Sequence, residues 1–314
     1  MKRTPKVPSQ RGSIYPIVEA YGFPYDSPSP LAHQTWAEKL CPFMGNDCEK
    51  KRQYGYGYCS VTYSAEWDKG KQHPYAVCDH RLDGEPINWT VRDHFGDAPA
   101  KLVPEVTAVL QPKLNVDFVA YRDDPASPDG TDLIAIEAQA IDLRGGGVGP
   151  AWRAWEDGNL PEWRDYFTRE AEAKKRKKDA IDYGVNMGNV YKRLGTQVAV
   201  KGEFLKQVRV PLYVVTQHRI LQQLRSRVEF DVIPVGDPWD ITFVSFDYNG
   251  SLDSNGQLSF VFHEAVRTTL PMYLKALTSS RAAITYLRSD FIKKVHKKDG
   301  RPTEVTDLQQ SPLF

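Results

Sequence analysis

Two carboxylates and an amide in the middle of the chain have the types and spacing needed to hold a divalent metal ion. Asp117 lies in the hydrophobic segment 114–121 (LNVDFVAY), and Glu137 and Gln139 lie in the segment 132–140 (DLIAIEAQA). Both segments have the composition of β-strands, and side chains two residues apart on a strand share a face. We therefore expect Glu137 and Gln139 to project together, with an apolar row on the opposite face.

The connecting residues should bring these two strands together. Residues 122–131 (RDDPASPDGT) are rich in Asp, Pro, Ser and Gly, which is typical of a turn. Folding back at this turn places Asp117 within reach of Glu137, and two converging carboxylates repel each other unless a cation lies between them. Mg2+ prefers hard oxygen ligands and keeps positions open for water and phosphate. Because such a metal can activate water and neutralise charge on phosphate, the pattern indicates a metal-dependent nuclease.

All cysteines of the chain fall in one N-terminal stretch, at Cys41, Cys48, Cys59 and Cys78. We find neither the apolar run of a signal peptide nor a segment long enough to span a membrane, so we expect a cytoplasmic protein without a membrane partner. Disulfides are disfavoured in that compartment, whereas four thiolates form a closed tetrahedral site for zinc or iron. The alternative is buried free thiols or one linked pair. A metal whose ligand positions are all filled by sulfur should be structural.

These features together carry a resemblance to a known family. An Asp, a spacer near twenty residues and then Glu-x-Lys is the signature of the PD-(D/E)XK nucleases, and here Gln139 stands where lysine is usual. Glutamine can orient water through hydrogen bonds but brings no positive charge. With four cysteines upstream, the chain resembles the NotI-like type II restriction endonucleases, a branch with Glu-x-Gln at this place.

The resemblance implies Mg2+-dependent cleavage of double-stranded DNA at a specific GC-rich palindrome containing GGCC. Asp117 and Glu137 would bind the catalytic Mg2+, and Gln139 would position the metal or the attacking water. The structural site would hold iron. Cutting both strands of a palindrome needs two active sites related by a twofold axis, so we expect a homodimer.

The resemblance also implies an α/β fold, with a mixed α+β sheet and a restriction-endonuclease-like core. We place a four-cysteine lobe at residues 1–99 and the catalytic, DNA-binding core at residues 100–314. Residues 100–111 (AKLVPEVTAVLQ) are expected to form a short helix that carries Glu105, where this superfamily often supplies another acid beside the metal.

The remaining segments complete the expected order of elements. We predict helices at 161–179, 186–207 and 220–227, a strand at 208–215, two strands at 241–248 and 257–266, and closing helices to about residue 298. The loop 144–149 (RGGGVG) lacks the GK[ST] ending of a nucleotide-binding loop, so ATP binding is not expected.

Charge does not decide whether the protein binds DNA, because 41 Lys and Arg residues nearly balance 40 Asp and Glu residues. The basic run 174–178 could neutralise phosphates, although a solvated helix face paired with nearby glutamates is favoured. Arginine and glutamine are suited to reading guanine and adenine edges. The candidate DNA contacts are Arg144, Lys192, Arg193, Gln197 and Lys201.

Two other interpretations remain open. A nuclease of the HNH type would use His80, Asn88 and His94, although the first two are close together for that motif. A non-catalytic DNA-binding or regulatory protein with a structural metal module would leave the acidic pair facing solvent. The second interpretation predicts DNA retention without strand scission in Mg2+. His218, His263 and Glu264 have no spacing that supports a hydrolase triad, so we expect ordinary helix and strand residues there.

Overall fold

The structure is a computed structural model. Its N-terminal part alternates short strands with helices. The described residues are 14–63, 72–111, 113–127, 129–145, 147–176, 180–234, 236–279 and 288–298. In the first of these regions the elements are β1 (Ile17–Ala20), β2 (Phe23–Pro24), α1 (Pro30–Glu38), β3 (Leu40–Cys41), β4 (Asn46–Asp47), α2 (Glu49–Tyr54), β5 (Tyr58–Tyr63), β6 (His73–Ala76) and α3 (Glu85–Phe95). One antiparallel sheet has the order β2-β1-β5-β6, and β3 pairs with β4.

Longer strands follow, separated by helices. They are β7 (Lys101–Leu110), β8 (Lys113–Asp123), β9 (Thr131–Gln139), β10 (Leu143–Gly145), α4 (Gly149–Glu156), α5 (Trp163–Ala173), β11 (Tyr183–Val185), α6 (Met187–Val190), α7 (Thr196–Gln207), β12 (Leu212–Gln217), α8 (His218–Arg227), β13 (Ile241–Leu252), β14 (Leu258–Thr268), α9 (Leu270–Thr278) and α10 (Arg288–Lys298). A π-helical turn, Tyr191–Gly195, lies between α6 and α7. No described helix combines the length and apolar character needed to cross a bilayer.

A six-stranded mixed sheet of order β14-β13-β12-β9-β8-β7 forms the frame of the molecule. β12 runs parallel to both β9 and β13, while the β7–β8, β8–β9 and β13–β14 pairs are antiparallel. Parallel neighbours need a crossover, and α7 and α8 occupy the two crossovers into β12 and β13. The expectation of an α/β fold with a mixed sheet is therefore confirmed.

Successive side chains of β9 point alternately into two apolar layers, one on each face of the sheet. Ile134 and Ile136 pack on one side with Ile87 of α3, and Ala135 packs on the other side with Val198 of α7. Helices therefore cover both faces of the sheet, as expected when parallel strands lie at its centre. Glu137 follows the Ala135 row, so its carboxylate projects toward the side where α7 packs.

The expectation of a helix at residues 100–111 is wrong, because this segment is the edge strand β7. Val103, Val106 and Thr107 are β-branched and favour extended backbone, while Pro104 would remove a hydrogen bond inside a helix. An edge strand tolerates proline because one side of its backbone has no strand partner. The helix that precedes the central strands is instead α3.

Most other segment predictions are confirmed. The strands expected at 114–121, 132–140, 241–248 and 257–266 correspond to β8, β9, β13 and β14, and a turn joins β8 to β9. The helices expected at 186–207 and 220–227 correspond to α6, the π-helical turn and α7, and to α8. The strand expected at 208–215 begins at Leu212, and the helix expected at 161–179 ends at Ala173. The last residues of the basic run, 177 and 178, lie outside the described residues.

A buried ion pair joins the N-terminal lobe, which comprises residues 14–63 and 72–82, to the central sheet. Glu19 of β1 is fully buried and accepts hydrogen bonds from Arg81 Nε (3.1 Å), Ser60 Oγ (2.6 Å) and Tyr248 Oη (2.8 Å). The Arg81 guanidinium lies over the rings of Tyr248 and Phe260 at 5.2 and 4.9 Å. Since Tyr248 and Phe260 belong to β13 and β14, this network fixes the lobe against the sheet.

Candidate active site and cysteine lobe

Three acids expected at the metal site lie side by side across neighbouring strands. The β7–β8 register sets Glu105 opposite Asp117, and continuing the β8–β9 register by one residue sets Asp117 beside Glu137. Glu105 has a φ of 51°, which is uncommon for a residue other than glycine and is found mostly at turns and functional sites. The strand pairing thus supplies the convergence that the sequence predicted for Asp117 and Glu137.

The end of β9 adds a fourth acid to this group. The β8–β9 ladder stops before Ala138, whose N–H donates to Asp117 Oδ2 at 2.9 Å, while the N–H of Ala140 donates to Asp79 Oδ1 at 2.7 Å. Side-chain carboxylates therefore take the hydrogen bonds that a neighbouring strand would otherwise accept. Burial raises the pKa of Asp79, and Asp117 adds to that effect, while Lys50 opposes it. Sequence reasoning did not place Asp79 here.

Glu137 is the most enclosed of these acids, with 5% of its surface exposed. Burial and the charge of Asp117 raise its pKa to about 7, against the opposing effect of Lys201. Glu137 Oε2 lies 2.5 Å from Lys201 Nζ, whereas Oε1 is buried and has no hydrogen-bond partner among the residues that the structure describes. A buried carboxylate oxygen without a partner is unfavourable, so the donor set fits a cation at this place. Below about pH 7 that cation would have to displace a proton.

Gln139, expected to position metal or water, and Lys201, expected to contact DNA, lie in different environments near Glu137. Gln139 is half-buried, and its amide donates to the carbonyl oxygen of Ala140 at 2.7 Å. Lys201 of α7, expected to contact DNA from a helix face, is instead 7% exposed and paired with Glu137. The π-helical turn before α7 changes the rotation per residue, so a regular helical period does not give the direction of Lys201.

The acids open onto a large cleft of about 1410 Å³. Among the predicted DNA contacts, Arg193 and Gln197 line this cleft, and Arg193 pairs with Asp142 at 2.9 Å. Arg144 on β10 and Lys192 in the π-helical turn are exposed. The other lining residues include the acids described above and an aromatic group from the N-terminal lobe, namely Tyr54, Tyr56 and Tyr58.

All four cysteines are buried in the N-terminal lobe. No three of their sulfurs lie within 4.8 Å of one another, so the thiols are not preassembled around a common point. They nevertheless occupy one neighbourhood. Burial, followed by the charges of Cys78, Glu19, Cys41 and Cys48, raises the pKa of Cys59 well above its usual range. Cys59 therefore lies within electrostatic range of the other three thiols, but the four sulfurs do not share one ligand sphere.

Backbone N–H groups point at several of these sulfurs. Gly22 N–H donates to Cys59 Sγ at 3.3 Å. Burial raises the pKa of Cys41, while hydrogen bonds from the backbone of Met44 and Phe43 oppose the rise. Burial likewise raises the pKa of Cys78 to about 12. Hydrogen bonds to sulfur favour the thiolate, so the donors fit a metal–thiolate site, although burial favours the protonated thiols of Cys41, Cys59 and Cys78.

A separate group of possible ligands lies away from these acids. His218, His263 and Glu264 are the group of three found among the described residues whose ligand atoms all lie within 4.8 Å of one another. The imidazole rings are stacked, with centroids 3.4 Å apart and planes 15° apart. Their nitrogen lone pairs therefore run side by side, whereas one metal needs to lie near both ring planes at about 2.0–2.1 Å. Glu264 Oε1 and Ser245 Oγ each lie 3.3 Å from His218 Nδ1.

The histidines of the HNH interpretation contact different acids. His80 Nδ1 lies 2.8 Å from Asp83, and His94 Nε2 lies 2.9 Å from Asp132. In the part of the chain that the structure describes, these histidines belong to no common group of three potential ligands. The arrangement therefore gives the HNH interpretation no added support.

Comparison with known proteins does not assign the chain to a family. No protein-family model matches the sequence. No curated protein matches it either.

Proposed function

We propose that this protein is a Mg2+-dependent type II restriction endonuclease that makes double-strand cuts in DNA, similar to the NotI-like enzymes. One observation carries the proposal. Glu137 is buried next to Asp117 at a cleft wall, and one of its oxygens has no hydrogen-bond partner in the part of the chain that the structure describes. Two adjacent carboxylates, one of them buried, are suited to binding a divalent cation. A cation at the wall of a wide cleft is in turn well placed to contact the backbone of a charged polymer.

Asp117 and Glu137 would hold Mg2+, and Glu105 would assist from the edge strand. When bound, the metal would neutralise negative charge on the phosphate and lower the pKa of a water molecule. In the overall reaction, water oxygen forms a bond to phosphorus, and the bond from phosphorus to the leaving sugar oxygen breaks. The attacking water loses a proton to solvent, and the leaving oxygen gains one. Gln139 lies on the Glu137 face of β9, where its amide could orient water.

The order of elements supports a PD-(D/E)XK-like core. Helix α3 precedes the meander β7–β8–β9, and α7 then leads to β12, which pairs parallel to β9. The acids lie on β7, β8 and β9, where the pairing of β8 with β9 ends. Arg193 and Gln197 would read base edges from the cleft, and a homodimer would apply two such clefts to a GC-rich palindrome containing GGCC.

For the cysteine lobe we propose one structural iron or zinc ion bound by Cys41, Cys48, Cys59 and Cys78. The purified protein should contain about one equivalent of iron or zinc per chain. Cys59→Ser should lose that metal and lower the melting temperature, because metal binding contributes directly to folding of such sites. Elemental analysis and thermal unfolding measure both effects. Ser27→Ala, a change at a buried polar residue of the same lobe, is the control that should keep the metal.

Digestion of DNA tests the proposed activity directly. Purified protein is incubated with phage and bacterial genomic DNA in Mg2+, and the fragment ends are sequenced. We expect discrete ends that share one short palindromic sequence. Intact DNA that the protein retains on a filter would instead indicate a non-catalytic DNA-binding protein.

A further inference from the structure

Helix α7 places the positive charge of Lys201 against Glu137, a contact that the sequence did not predict. Lys201 Nζ lies 2.5 Å from Glu137 Oε2, and both side chains are less than one-tenth exposed. Lysine is rarely buried to this degree unless it is paired. Replacing such a pair with apolar residues is often neutral or stabilising, so stability alone gives a weak reason for it.

The packing of α7 fixes where Lys201 points. A Cβ on Gly202 would lie 2.8 Å from Leu270 Cδ1, and one on Gly195 would lie 3.2 Å from Leu277 Cδ1. The glycines therefore let this helical segment approach α9 closely. Val198 and Leu205 are buried in the core beside the sheet. A helix held on two sides gives its buried lysine little freedom to leave β9.

The strand itself offers no positive charge at the corresponding place. Gln139 shares the Glu137 face of β9, but its side chain is an amide and donates to the Ala140 carbonyl. Lys50 lies nearer Asp79, where it opposes the rise of that carboxyl pKa. The cation that contacts Glu137 therefore comes from a helix more than sixty residues further along the chain.

We propose that Lys201 is the catalytic lysine of this site, delivered by α7 in place of a lysine at the position of Gln139. Its ammonium group donates a hydrogen bond to the attacking water and stabilises the negative charge that develops on water and phosphate. No proton passes to or from Lys201 in this step, so the proton and bond balance of the hydrolysis is unchanged. This inference rests on the proposed nuclease function and adds a residue to it.

The experiment compares Lys201→Met, Lys201→Gln and the double variant Lys201→Met/Gln139→Lys with the wild type on the same phage DNA. Lys201→Met should cleave at least about a hundredfold more slowly, the usual effect of losing one donor to developing charge. The double variant should recover at least about tenfold, because position 139 faces the same site. Lys201→Gln keeps a donor toward Glu137 without the charge, so it tests the proposal even if Lys201→Met fails to fold. Lys206→Met, on the exposed part of α7 beside Asp240, is the matched control.

Calcium titration without DNA gives a second readout. Lys201→Met should bind Ca2+ within about threefold of the wild type or more tightly, because removing a cation does not weaken a cation site. Parallel loss of Ca2+ affinity and cleavage would mean a merely structural role and would overturn the proposal. Cleavage by Lys201→Met within about threefold of the wild type, or a double variant as slow as Lys201→Met, would also overturn it. Failure of the wild type to cut DNA would instead reject the nuclease function itself.

Discussion

Glu137→Gln should abolish DNA cleavage, with a loss of at least about a thousandfold, while the protein still folds. The substitution keeps the size of the side chain and a hydrogen-bond acceptor, but it removes the charge that pairs with Lys201 and that would bind the metal. Single-turnover cleavage of linear DNA with Mg2+ measures the effect. Glu203→Gln, an exposed carboxylate on α7, is the control and should cut at the wild-type rate.

Binding measurements separate a lost metal site from a lost fold. Because Glu137 has a pKa raised to about 7, it is protonated below that pH and must release the proton when a cation binds. Calcium affinity of the wild type should therefore weaken as the pH falls below about 7, by up to tenfold per unit. Glu137→Gln should bind Ca2+ weakly at every pH and show no such slope. Undiminished cleavage by Glu137→Gln would contradict the proposed site.

Arg81→Met should destabilise the protein by about 3–5 kcal/mol, because it leaves Glu19 charged and buried without its partner. Burial works against the charge of Arg81, but Glu19 holds the pKa of the guanidinium above its usual range. The substitution also removes the cation from the rings of Tyr248 and Phe260. Urea unfolding, followed by fluorescence, measures the free energy of unfolding.

Two companion variants make this result specific. Arg92→Met removes an exposed pair with Glu85 and should change the free energy of unfolding by less than about 1 kcal/mol. The double variant Glu19→Gln/Arg81→Met should recover part of the loss, since the buried charge is gone. Equal stability of Arg81→Met and Arg92→Met would show that the network does not hold the lobe against the sheet.

The amino-acid sequence by itself determined the strands of the metal site and the acid pair on them. Alternation along 114–121 and 132–140 is a local property, and the turn at 122–131 contains its own signals. Together they predict that Asp117 and Glu137 meet, because a hairpin depends on neighbouring residues alone. The clustering of the cysteines was likewise readable from the chain.

Only the tertiary structure decided which other groups join those acids. Lys201 and Asp79 reach the site from a distant helix and from the N-terminal lobe, and Glu105 reaches it from a strand that the sequence favoured as a helix. Local patterns contain no information on how α7 packs against α9 or where the β8–β9 ladder ends. Those contacts depend on packing and on strand register between residues far apart in the chain, and they determine the charge around Glu137.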